Sequence, residues 1–77
     1  MANIAANLTT AMAKSSPDNK LGVIVTTSGA RPPGFDLKGF DGLDGLYYGQ
    51  LSQAEIKSLA QQPTVKAIEL DLENTIL

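Results

Sequence analysis

The chain has 77 residues, a net charge of −2 and a pI near 4.7, so it is one small acidic domain. It has only six Lys or Arg, scattered along the chain, with two Phe, two Tyr and no Trp. That leaves neither a concentrated basic surface nor a stacking platform for nucleic acid. The lack of Cys and His removes disulfides, thiolate chemistry, the commonest metal ligand and the usual base at neutral pH, so no cofactor is expected.

A domain of this size buries only about 60% of its unfolded surface, so a partner or a second subunit is the natural source of further stability. The opening "MANIAANLTTAMAKSS" lacks the basic n-region and unbroken apolar h-region of an export signal. No run approaches the ~20 apolar residues of a membrane span, so no membrane partner is expected. For a complete chain the expected location is cytoplasmic. The sequon at Asn7 is then a chance match.

Residues 3–14 place Ile4, Leu8 and Met12 at i, i+4 and i+8 with Ala5 and Ala11 alongside, which predicts an amphipathic helix. "SSPDNK" stops it through Pro17 and the turn-forming Asp18 and Asn19. "LGVIVTT", Leu21 to Thr27, is a continuous β-branched run and predicts a central strand buried on both faces. Residues 28–42 are rich in Gly and Pro, with Arg31-Pro32-Pro33 stiff and extended. At most one short turn is expected there, near Asp36 to Phe40, with Phe35, Leu37 and Phe40 tucked onto the core.

Leu43 to Leu51 reads as a second long strand, with Gly45 and Gly49 marking a bulge or a close backbone approach. Ser52 and Glu55 then form an S-x-x-E capping box, with Leu51 and Ile56 as a hydrophobic staple. Ile56, Leu59 and Ala60 are the expected buried face of this helix, and Pro63 ends it. "VKAIELDL" is a strand with Ile68, Leu70 and Leu72 on one face and Ala67, Glu69 and Asp71 on the other. The last three elements make a β-α-β unit. The apolar Leu21–Thr27 strand is expected to lie between its two strands.

Catalytic chemistry is thinly supplied, and the chain is not expected to be an enzyme. Ser52 is explained as a cap. Glu69 and Asp71 share a strand face, an arrangement that solvated surface acids also produce. Asp36, Asp41 and Asp44 lack the alternate spacing and closing Glu of a calcium loop. There is no G-x-G-x-x-G and no phosphate loop.

The ordered stretch "YYGQLSQAEIKSLAQQPTVKAIELD" resembles the C-terminal half of subtilisin-type propeptides, the peptidase inhibitor propeptide family. The matching positions are Leu51, Ser52, Glu55, Ile56, Leu59, Pro63, Val65, Ile68, Glu69 and Asp71. "SSPDNKLGVIVTT" is similar to the family's entry into its first strand. The resemblance covers Leu21–Thr27 and about Gly45–Asp71, roughly 45% of the chain. The resemblance implies an α+β, ferredoxin-like sandwich, abbreviated, with an N-terminal helix and a three- or four-stranded, mainly antiparallel sheet. The family fold is βαββαβ, and residues 28–42 are too few for its first helix and second strand. Either the fold is shortened, or the N-terminal helix covers the vacated sheet face.

The resemblance further implies a subtilisin-type serine protease as partner, inhibited or assisted in folding. In that reading the sheet packs on two protease helices. Glu69 and Asp71 cap those helices, and the tail Asn74, Thr75, Ile76 and Leu77 lies in the cleft. Leu77 suits a broad apolar pocket, whereas Asn74 departs from the apolar residue expected upstream. The alternative is a structural or interaction protein, a homodimer, that keeps the fold without protease binding. A third reading has the Arg31–Asp44 loop bind a small ligand or ion.

Overall fold

The computed structural model describes residues 2–71. Along them run β1 (Asn3–Ile4), α1 (Ala6–Lys14), β2 (Leu21–Thr27), β3 (Lys38–Phe40), β4 (Leu43–Leu51), α2 (Gln53–Ala60) and β5 (Val65–Leu70). The result is an α+β fold whose sheet has the order β1-β5-β2-β4-β3. The apolar run of β2 takes the middle of the sheet, antiparallel to β4 on one side and β5 on the other. β4 and β5 therefore run the same way with β2 between them, and α2 makes the connection.

Register sorts the side chains. Leu21 pairs with Leu51, Val23 with Leu70, and Val25 with both Tyr47 and Ile68, so these share one face. Both helices lie on that face. Leu8 and Ala11 of α1 and Ile56, Leu59 and Ala60 of α2 are buried in the same core as Val23, Val25 and Ile68. The Gln53 side-chain amide at the start of α2 donates to the carbonyl of Met12 at 2.6 Å and to that of Ser15 at 3.3 Å, near the end of α1. The N–H of Ala2 donates to the Ala60 carbonyl at 2.8 Å.

Two expectations fail at the start of the chain. Ile4 lies in a strand, not in the first helix, and the sheet has five strands rather than three or four. It is also mixed, since β1 pairs parallel with β5. The outer edge of β5 would otherwise leave backbone groups unpaired, and two residues of β1 answer part of it. The Ala5 N–H continues the pairing onto the Ile68 carbonyl at 2.9 Å, and the helix begins immediately afterwards. Ala5 is its N-cap and provides no side-chain bond.

The segment near Asp36 to Phe40 contains a strand instead of a helical turn. Asp41 and Gly42 join β3 to β4 in a two-residue turn, closed by the Phe40–Leu43 pair, with Gly42 at φ 76°. Before β3, the Gly- and Pro-rich segment covers the helix side of β4. Leu37 is 1% exposed, and Pro32 is buried with it. The Arg31 guanidinium donates to the Leu37 carbonyl at 3.1 Å, and the Tyr47 hydroxyl donates to that of Gly29 at 2.8 Å. A Cβ on Gly49 would stand 2.5 Å from the Asp36 carbonyl oxygen, so the absent side chain is what lets this segment lie against the strand. The vacated sheet face is thus divided: α1 packs on β5 and β2, and residues 28–37 close the flank over β4.

Candidate functional site

The other side of the sheet carries no helix among the described residues. Alternation along the strands assigns Ile24 and Thr26 of β2, Leu46, Tyr48 and Gln50 of β4, Ala67 and Glu69 of β5, and Lys38 of β3 to it. Ile24, Thr26, Leu46, Tyr48 and Ala67 are only partly covered, while Lys38, Gln50 and Glu69 are exposed. Phe40 also lies here, with its ring 4.8 Å from that of Tyr48 and tilted 48° to it. This corrects its expected place in the core: with Lys38 and Tyr48 on the open face, alternation along β3 puts Phe40 there too. Leu43, beside it at the turn, is 53% exposed.

Register puts four of these residues in one line across the sheet. Lys38 pairs with Tyr48, Tyr48 with Ile24, and Ile24 with Glu69. The row begins on a cation, passes an aromatic ring and a branched aliphatic chain, and ends on an anion. Three strand spacings, about 14 Å, separate its ends, so the two charges cannot pair within one chain.

Gly22 lies at one end of this face, between Gln50 and the start of the segment after β5. A depression of about 330 Å³ opens beside it, lined by Lys20, Lys38, Tyr48, Gln50 and Asp71 among others. The Asp71 N–H donates to the Gly22 carbonyl at 2.8 Å, and Asp71 is buried.

The two acids singled out from the sequence therefore differ. Glu69 stands exposed on the open face, whereas Asp71 is 8% exposed and held against β2. The other four, Asn74, Thr75, Ile76 and Leu77, lie outside the described residues. Sequence reasoning overlooked Lys38, Phe40 and Ile24 as parts of this surface. The signal for the first two was present. Asp41-Gly42 between apolar neighbours is a strong short-range hairpin mark, and it implies a strand on each side.

The described residues offer little else chemically. No group of three or more His, Cys, Asp or Glu comes together among them in a way that would hold a metal. Asp36 lies before β3, Asp41 in the turn and Asp44 on β4. No helix of the described residues is long and apolar enough to cross a membrane. Comparison with family models, curated proteins and solved structures returns no match for this chain.

Proposed function

We propose that the chain is a non-enzymatic, protein-binding domain of the subtilisin-propeptide type, acting as an inhibitor or folding chaperone of a subtilisin-type serine protease. The carrying observation is a half-apolar sheet face with no helix on it among the described residues, bearing the exposed Glu69. A face of this kind fits a partner that brings its own helices. A carboxylate at its edge favours the positive N-terminal end of such a helix. The topology supports the same reading. Without β1, the order β5-β2-β4-β3 is that of a ferredoxin-like split β-α-β sheet, with residues 28–37 in place of the first helix. Of the two acids, Glu69 is the one disposed to meet a partner.

On this proposal the part that enters the protease cleft is residues 73–77, which lie outside the described residues. The test is a titration of the full chain, and of a form ending at residue 72, into subtilisin with a chromogenic peptide substrate. Inhibition at micromolar concentration, weakened about tenfold or more by the truncation, is the expected result. No inhibition at tens of micromolar, or inhibition indifferent to the truncation, would remove the cleft-binding mechanism.

A further inference from the structure

The charge pattern of the open face carries an inference independent of any protease. The row Lys38–Tyr48–Ile24–Glu69 has opposite charges at its two ends and apolar residues in its middle. Two sheets can stack face to face about a twofold axis in the plane between them, and such an axis has two simple orientations. An axis running across the strands, along the row, would set Lys38 against Lys38 and Glu69 against Glu69. An axis parallel to the strands, midway between β2 and β4, reverses the row. Lys38 then faces the second copy's Glu69, and Tyr48 faces its Ile24.

We infer that a second copy of this chain covers the open sheet face, through a twofold axis parallel to β2 and β4 that pairs Lys38 of each copy with Glu69 of the other. The contact is isologous, so each pairing occurs twice. The middle of the interface buries Ile24 and Tyr48 with Phe40 beside them, residues now only partly covered. The charged pairs lie at its rim, where they set register and orientation more than affinity. The same geometry leaves Gln50 of one copy above Gly22 of the other.

The experiment is sedimentation equilibrium of the full chain at low salt, with Lys38→Glu, Glu69→Lys and the double exchange K38E/E69K. The wild type is expected to be a dimer in the micromolar range. Each single exchange sets like charges together twice and should weaken dimerisation by about tenfold or more. The double exchange restores opposite charges and should return the dissociation constant to within about threefold of wild type. Lys57→Glu, an exposed charge on α2 and so on the helix side of the sheet, should leave it unchanged. Both row charges are exposed, and circular dichroism of each variant checks that it remains folded. A strict monomer at millimolar concentration overturns the proposal. So does a dimer indifferent to the single exchanges, or one that the double exchange does not restore. Protease is absent from this measurement, so its failure is separate from failure of the inhibitor reading.

Discussion

Ser52 carries the start of α2 through two reciprocal bonds. Its hydroxyl accepts from the Glu55 N–H at 3.2 Å, and its own N–H donates to the Glu55 carboxylate at 2.9 Å. Replacement by Ala removes the first bond and should lower stability by about 1 kcal/mol in urea denaturation at neutral pH. The backbone N–H of Ser52 is also the main cause that holds the Glu55 carboxyl below its ordinary value, with the Ser52 hydroxyl and Lys20 adding to it against some desolvation. A folded-state value below the unfolded one stabilises above the ordinary carboxylate range. That contribution is lost as pH falls through the lower, folded value. Glu55→Gln keeps an acceptor for the Ser52 N–H but not the charge. Its stability deficit should therefore be larger at pH 7 than at pH 3, and equal deficits would show that the charge contributes nothing.

Elements in this chain depend on one another for cover. β4 has α2 over one part of its helix side and the Gly- and Pro-rich segment over another, anchored by Leu37. Leu37→Ala should cost about 2–5 kcal/mol, since a fully buried side chain leaves a cavity. Limited proteolysis should then cut within residues 31–37 earlier than in wild type. An unchanged cleavage rate would mean that Arg31 and Tyr47 hold the segment without Leu37. At Gly45, φ is 81° and an added Cβ would meet the Thr27 carbonyl at 3.0 Å. The Thr27 hydroxyl bridges the same place, donating to the Gly45 carbonyl at 3.0 Å and accepting from the Gly29 N–H at 3.1 Å. The loop is thus tied to the sheet at both ends of its path.

Across the fold, coverage among the described residues is one-sided: both helices and the long loop occupy one face of the sheet. The protease and the second copy are proposed for the other face, so they exclude one another. The charge-exchange pair separates them. K38E/E69K should restore the dimer, yet it places a lysine at the β5 position proposed to meet the N-terminal end of a partner helix. Its inhibition of subtilisin should accordingly stay weaker than that of the wild type, measured in the same chromogenic assay. Full inhibition by the double exchange would remove Glu69 from the protease contact and leave the dimer standing.

Elements whose instructions are local are legible in the amino-acid order alone. The β-branched run of β2 marked the central strand, and the capping box and Pro63 bracketed α2, whose buried residues are the Ile56, Leu59 and Ala60 read from its periodicity. These features follow from bonds and burial within a few residues. The assembled fold is what makes strands of β1 and β3, because segments of two and three residues draw their hydrogen bonds from β5 and β4 rather than from their own composition. It also decided the exposure of Glu69 and the burial of Asp71, which alternation along one strand renders equivalent. The row from Lys38 to Glu69 joins four strands, and its charges meet Tyr48 and Ile24 only through register, which no local pattern specifies.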